Sequence, residues 1–581
     1  MARQLERFEN LVSLFLTRAS EKGEKPFLWA RREGEWRAIS WAYAARQVAA
    51  LAASLKRIGL EPGDRVALVS ENRPEWLISD LAIMAAGCVT VPTYTTNTTR
   101  DHAHVLGNSG ARAVIVSNQK LAKNLIPAVL TSTECHHVIG MEPIRSSQTP
   151  DWVNSHHWVE LASGDAPVEQ LNSDVARIHR GDLACIIYTS GTGGAPRGVQ
   201  IHHGSILHNL EGCTDIISTD FGWEDEVFLS FLPASHAYEH SGGQMFPIAL
   251  GAEIYYAESL EKLAANIEEV QPTIMVVVPR LFEMLRARIL KSIEGQGGFP
   301  KYLLARALKI GADKYHGRLK PWDMPMDALL SLTLRKKVRA RVGNRQKAWV
   351  SGGAPLNPEV GTFFQSLGIT FLQGYGQTEA GPVISCNRPS AGIRLDTVGV
   401  PVKGCEVHIA EDGEILVRGE NVMRGYWRNP EETERVLRDG WLATGDVGHF
   451  DAKGRIVITD RKKDILVNDK GDNVSPQRIE GMLTLQGEIA QAMVYGDRRP
   501  HLVALIVPDS EIVGTPDLHQ RLQAAIDRVN SDLSVIEKIR RFILADEPFS
   551  IENEQLTPSI KIRRHVISNV YGDRLDALYK R

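Results

Sequence analysis

At 581 residues the chain is too long for one hydrophobic core, which stops growing at roughly 250–300 residues, so at least two domains are expected. Apolar content of 43% and charged content of 24% are those of an ordinary folded protein, and 67 Lys and Arg against 70 Asp and Glu give no electrostatic reason to expect nucleic acid as a partner. Six scattered cysteines, with no Cys-x-x-Cys pair and no matching histidine spacing, argue against a zinc site and suit a reducing, cytoplasmic compartment.

The first apolar run, Leu11 to Leu16, is too short for a secretory signal or a membrane span. From about residue 40 to 460, apolar runs of strand length alternate with amphipathic helical stretches. That alternation predicts an α/β fold with layered, substantially parallel sheets and helices. Arg65–Val69, Ala113–Val116 and Thr273–Val278 are such strand runs, and Asn357-Pro358-Glu359 supplies a cap, a first-turn proline and an early acid for a helix reaching Leu367. Near residue 460 the texture changes: a strand over Arg455–Thr459 leads into Asp460-Arg461-Lys462-Lys463-Asp464, too charged for core. Beyond it a small α+β unit is expected, with strands at Ile465–Val467 and Leu502–Val507. Helices are expected from Ser475-Pro476 and near Leu518–Val529. A terminal amphipathic helix carries Val566, Ile567, Val570, Leu575 and Leu578. Two domains follow, 1–459 and 460–581, with the boundary at Asp460.

The stretch Tyr188 to Gln200, YTSGTGGAPRGVQ, comes directly behind the apolar run Leu183–Ile187. It is neither of two familiar phosphate loops: Val199 stands where the Walker pattern needs lysine after Gly198, and Pro196 where the dinucleotide fingerprint needs glycine. A third kind of cradle fits the composition. Amides of Ser190, Gly191, Thr192, Gly193 and Gly194 can converge on an anion, hydroxyls of Thr189, Ser190 and Thr192 can donate, and Arg197 adds a fixed positive charge. The plain alternative is a strand-to-strand turn that uses glycine for its backbone freedom.

Four more segments follow in order: Val350 to Leu356 (VSGGAPL), Gln373 to Glu379 (QGYGQTE), Gly440 to Asp446 (GWLATGD) and Asp460 to Asp464 (DRKKD). With the loop, they resemble the AMP-forming acyl-CoA synthetases of the adenylate-forming superfamily, over nearly the whole chain. The segment from about Gly295 to Lys347, the phrase Leu232 to His240 (LPASHAYEH) and the ending Leu556 to Arg564 are most similar to the long-chain fatty acyl-CoA synthetases. The resemblance implies a ligase with ATP, Mg2+ and coenzyme A as cosubstrates or cofactors. A fatty acid is joined to the α-phosphate of ATP, pyrophosphate leaves, and a thiol then displaces AMP.

By the same resemblance, Thr189 to Gly194 and Arg197 wrap the β- and γ-phosphates, Thr378 meets the α-phosphate and Glu379 holds the metal. Gly353, Ala354 and Pro355, with Gly374, Tyr375, Gly376 and Gln377, form the adenine slot, the Tyr375 ring stacking on the base. Asp446 takes the ribose hydroxyls beside Arg461, Lys561 bridges carboxylate and α-phosphate, and His236 borders the acyl site; the resemblance also implies that 460–581 is a mobile domain with its hinge at 460–464, Lys463 being the hinge residue. Gly471 to Pro476 would line the path of the thiol. The sequence departs from the family pattern at Gly193, which replaces a hydroxyl residue, and at Arg197, which replaces a lysine. The linker carries no added segment that would obstruct rotation.

A long acyl chain needs an apolar tunnel; Phe228–Leu232, Gly242–Leu250 and the strand ending at Pro279 are candidate walls. Arg335 to Lys347 holds seven basic residues and no acid, which reads either as a peripheral dock on anionic lipid or as a solvated helical face. Functions other than acyl-CoA formation stay open: release of acyl-AMP, transfer to a carrier protein, or a degenerate nucleotide-binding sensor.

Overall fold

The computed structural model describes residues 3–145, 152–164, 166–189, 195–294, 297–469, 472–557 and 562–580. Among them, two large mixed sheets carry the N-terminal part. One runs in the order 400–401, 383–386, 371–376, 348–351, 274–277, 227–230, 253–256, 26–32 and 35–40. The other runs 425–426, 197–202, 183–189, 89–93, 65–69, 111–116, 137–140 and 154–157. Their central strands are parallel, while the pairs at each end of the first sheet and at the 197–202 end of the second are antiparallel. This is the α/β arrangement expected from the alternating pattern. Strand Arg65–Val69 shows why such strands read as unbroken apolar runs: Val66 and Leu68 enter one core, Ala67 and Val69 another, on opposite faces of the sheet.

The smaller C-terminal part repeats that logic. In strand Leu502–Pro508, Leu502, Ala504 and Ile506 pack with helices Pro476–Leu483 and Leu518–Ser531, whereas Val503, Leu505 and Val507 pack with the terminal helix Arg564–Ala577. The buried stripe of that last helix is Ile567, Tyr571 and Leu575, spaced by four. Val570, expected on the same face, is 56% exposed, because position 570 sits about one residue off the stripe. Strands Ile489–Tyr495 and Ile539–Leu544 complete this sheet.

The strand before the charged run also differs from expectation. It covers Ile456–Arg461, reaching into the charged run, and pairs antiparallel with Trp441–Phe450 so that Asp446 faces Arg461. Opposite charges in register extend the ladder into the polar segment. Asp460 is correspondingly buried, against the view that no part of the run can be interior.

Candidate active site

The glycine-rich stretch joins two antiparallel strands, Leu183–Thr189 and Arg197–His202, with Thr189 opposite Arg197. Ser190, Gly191, Thr192, Gly193 and Gly194 lie outside the described residues, but both anchors border a large cleft of ≈ 2170 Å³. Arg197 pairs with Glu432, and its guanidinium carbon lies 4.7 Å from the centroid of the Tyr426 ring. The Tyr426 hydroxyl in turn donates to Glu379 Oε1 at 2.9 Å. Strand Gly425–Tyr426 pairs with the edge of Arg197–His202, which brings these separate segments together. Cation, ring and acid thus form one connected wall.

Strand Phe371–Gly376 leads into the short turn Thr378–Ala380, and Gly374 to Glu379 all line the same cleft. Gly376 admits no larger residue, since a Cβ there would overlap the Pro382 carbonyl oxygen. Gly353, Ala354 and Pro355, just past strand Ala348–Ser351, line it as well. So do Asp446, Arg461 and Lys463.

Asp446, 3% exposed, accepts from the Tyr375 hydroxyl at 2.7 Å through Oδ2 and from Arg461 Nε at 3.0 Å through Oδ1. Burial first, then the Asp446 carboxylate, pushes the Tyr375 phenol well above its ordinary pKa, so it stays a donor. A carboxylate offers about four acceptor positions, leaving about two here for a ligand diol. Tyr375 therefore does more than present a ring: its hydroxyl fixes the acid that sequence reasoning assigned to a separate task.

His236 lines the cleft and caps the short helix Ala237–Glu239, its Nδ1 accepting from the Tyr238 amide at 3.2 Å. His240, four residues on, is fully buried with Nε2 2.9 Å from Asp80, a core pair. Lys561 lies outside the described residues; Thr557 and Ile562 on either side border the cleft. Gly471, at the start of the expected thiol path, is outside them too, whereas Ser475 at its other end borders the cleft.

The remaining cleft wall is apolar. Cys213 and Ile217 come from helix His203–Asp220, Gly242 from the π-helical turn His240–Met245, Phe246 from the helix after it, and Val276 and Leu372 from the sheet. Of the expected walls, Gly242–Leu250 and the strand ending before Pro279 contribute, whereas Phe228–Leu232 does not; Phe228 is core. Helix His203–Asp220 is an addition to them, and the spacing of Cys213, Ile216 and Ile217 is the signal that one of its faces is apolar. The π turn wraps Glu239 closely: a Cβ on Gly243 would overlap its carboxyl. That carboxyl, 1% exposed, accepts from Ser230 Oγ at 2.6 Å and Gln244 Nε2 at 3.1 Å, and burial raises its pKa to about 8.

Among the described residues, no group of three or more His, Cys, Asp or Glu side chains is arranged to cage a metal. Glu379 contributes one carboxylate to the cleft wall, next to the Tyr426 hydroxyl. That suits Mg2+, which is usually held by one or two carboxylates together with substrate phosphates.

Residues 15–427 match the family of AMP-binding enzymes and residues 463–581 the AMP-binding enzyme C-terminal domain. The chain is 31% identical over 575 residues to the long-chain-fatty-acid–CoA ligase FadD15 of Mycobacterium tuberculosis, covering 94% of this chain and 93% of that one. It is 28% identical over 615 residues to the chloroplastic long-chain-fatty-acid–[acyl-carrier-protein] ligase AEE15 of Arabidopsis thaliana, covering 93% and 82%. Among solved structures, the adenylation domain of a carboxylate reductase from Mycobacterium chelonae superposes with a TM-score of 0.77 at 21% identity, over 99% of this chain and 92% of that one. The anthranilate CoA ligase AuaEII with anthranoyl-AMP gives 0.72 at 20%, over 97% and 98%. Matched by family over both its larger and its smaller part, and in fold to adenylation domains, this chain belongs to the AMP-binding enzymes of the adenylate-forming superfamily.

Proposed function

We propose that the protein activates a long-chain fatty acid with ATP through an acyl-adenylate and transfers the acyl group to coenzyme A, releasing pyrophosphate and then AMP. The observation that carries this reading is a single cleft with two chemistries. One wall holds Tyr375, Asp446 and Arg461, fitted to a nucleoside; another is lined by Cys213, Ile217, Phe246 and Val276, fitted to a hydrocarbon. Burial of each methylene there contributes about 0.8 kcal/mol, enough to favour long chains.

In the first step two anions must meet, so catalysis is positioning and charge neutralisation. Asp446 accepts the ribose hydroxyls while Tyr375 and Arg461 hold its carboxylate in place. Arg197, with the loop Thr189 to Gly194, takes the terminal phosphates, and Thr378 takes the α-phosphate. Glu379 would hold Mg2+, which when bound supplies charge neutralisation between phosphate oxygens. Lys561 bridges carboxylate and α-phosphate until the acyl–phosphate bond forms and pyrophosphate leaves. The domain 460–581 then rotates about Lys463, within 460–464, to withdraw Lys561 and admit the thiol along the Gly471–Pro476 side. The thiol attacks the acyl carbon, and AMP departs.

Pyrophosphate release from oleate and ATP tests the reading, with mass spectrometry of products with and without coenzyme A. Oleate-dependent pyrophosphate and oleoyl-CoA are expected; no pyrophosphate with any fatty acid from butyrate to oleate would overturn it. A second acceptor is favoured by one observation, the similarity to an acyl-carrier-protein ligase. Acylation of a phosphopantetheinylated carrier, with none of coenzyme A, would establish that acceptor instead.

A further inference from the structure

Helix Met324–Leu332 buries Leu330 fully against Ala307 and Ile310, with Met326 packed beside them, yet its outer side is apolar as well. Met324, Leu329 and Leu332 are 60%, 49% and 75% exposed, and Pro325 and Ala328 are exposed with them. Its polar residues point the other way. Arg335, buried, donates from Nη1 to Asp327 Oδ1 at 2.6 Å and to Ser331 Oγ at 2.9 Å, and from Nε to the Ser366 carbonyl at 2.7 Å. Stability does not call for apolar residues on the outer side, because exposed apolar area is unfavourable. Two residues before it stands Trp322, 73% exposed, with Lys320 Nζ 5.3 Å from its ring centroid.

The charge around this face is strongly one-sided. Residues 301–347 contain thirteen lysines and arginines and three aspartates, in a chain whose net charge is −3. Asp323 and Asp327 are engaged by Arg306 and Arg335. Helix Leu334–Val342 follows directly, and Lys336, Lys337, Arg339 and Arg341 on it are exposed, with no ion-pair partner among the described residues. Arg335 itself is internal, so the basic surface is narrower than the basic run in the sequence.

We propose that this face seats on an anionic lipid bilayer. Trp322, Met324, Leu329 and Leu332 enter the headgroup–acyl boundary and Lys336, Lys337, Arg339 and Arg341 lie over the anionic headgroups. Exposed apolar side chains on one helix, with exposed unpaired cations on the helix packed next to it, fit that interface. A second copy of the chain would set like charges against each other. The face is also linked to the cleft. Helix Gly298–Tyr315 packs on Met324–Leu332, and the Tyr315 hydroxyl accepts from the amide of Leu395, a cleft residue, at 3.0 Å. The purpose of the contact, uptake of a fatty acid from the membrane that stores it, rests on the fatty-acid reading above; the contact itself does not.

The test is flotation of the full chain with phosphatidylcholine vesicles, with and without phosphatidylglycerol. At least about tenfold stronger binding is expected with the anionic lipid, lost in high salt. Leu329→Glu with Leu332→Glu, and separately Lys336→Glu with Lys337→Glu, should each cut binding by about tenfold or more. Lipid-free pyrophosphate release from octanoate and melting temperature should be unchanged in both. Flotation by the variants equal to wild type, or equal binding to neutral vesicles, would overturn the proposal. So would a dimer, or a complex with an acyl carrier protein, that the leucine changes dissolve while flotation persists. Failure of pyrophosphate release in the wild type, with flotation as expected, counts against the fatty-acid reading alone.

Discussion

Arg197 is not free to meet a phosphate: it already pairs with Glu432 and lies over Tyr426. The two charged side chains are 25% and 16% exposed, so separating them does not fully rehydrate either. A hydrogen bond to a charged group is worth about 1.5–3 kcal/mol, and partial solvent screening places this one near about 1.5 kcal/mol, roughly a factor of ten. Glu432→Gln keeps the shape and an acceptor but removes the competing charge, and Arg435, 2.6 Å from the same oxygen, faces solvent enough to accept the loss. The ATP concentration for half-maximal rate should therefore fall about tenfold, with kcat nearly constant. Arg197→Ala should act in the opposite sense, lowering kcat by about 10²–10³, the usual cost of one preorganised donor at a developing charge. Both are read from initial rates of pyrophosphate release at saturating oleate across an ATP titration, with melting temperature as the control for folding. An Arg197→Ala enzyme within about threefold of wild type refutes the phosphate role. An unchanged ATP dependence in Glu432→Gln refutes the competition.

Tyr375→Phe keeps the ring and removes the donor to Asp446, so weaker ATP and AMP binding by about tenfold is expected in calorimetry, whereas stacking alone predicts no change. Gly376→Ala should drive the strand away from the Pro382 carbonyl; loss of at least about 2 kcal/mol of stability by denaturant titration is expected, and a neutral change would contradict the close approach. Glu239 carries a pH signature. Its folded pKa of about 8 lies above the unfolded value near 4.5, so between those limits the folded state holds a proton that the unfolded state has released. Stability should fall as pH rises through that window, by up to about 1.4 kcal/mol per pH unit, and Glu239→Gln should flatten the decline. A wild-type melting temperature independent of pH from about 5 to 8 would contradict a neutral Glu239. Glu379→Gln should raise the Mg2+ concentration needed for half-maximal rate by about tenfold or more, and an unchanged Mg2+ titration would remove Glu379 from metal binding.

Much of the fold was legible because local chemistry and global packing agree. Asn357-Pro358-Glu359 announces a helix and one starts at Pro358; the run Leu502–Val507 reads as a strand buried on both faces and is one. Errors arose where tertiary pairing overrode local character. Asp446 drew Arg461 into a strand that charge alone argues against, and the terminal helix buries Tyr571 in its stripe while leaving Val570 outside. The motif residues of the cleft were visible as motifs, but Tyr426 and Glu432 were not, since the partner of Arg197 lies 235 residues away and leaves no local trace. Helix Met324–Leu332 left no such trace: its composition, MPMDALLSL, does not say which leucine is internal, and the structure buries Leu330 while leaving Leu329 and Leu332 outside.

Arg461 sits at the end of the antiparallel pairing with Trp441–Phe450, and its carbonyl accepts the amides of Asp464 and Ile465, which begin the turn into the smaller part. The Lys462 amide is still tied to Gly445 on the larger part. One side chain is thus bonded to Asp446 while its own backbone starts the turn that follows. If the nucleotide touches that side chain and the proposed rotation turns there, occupancy and lobe orientation become reciprocal quantities: the free energy by which a bound nucleotide biases the angle must equal that by which a locked angle changes nucleotide affinity.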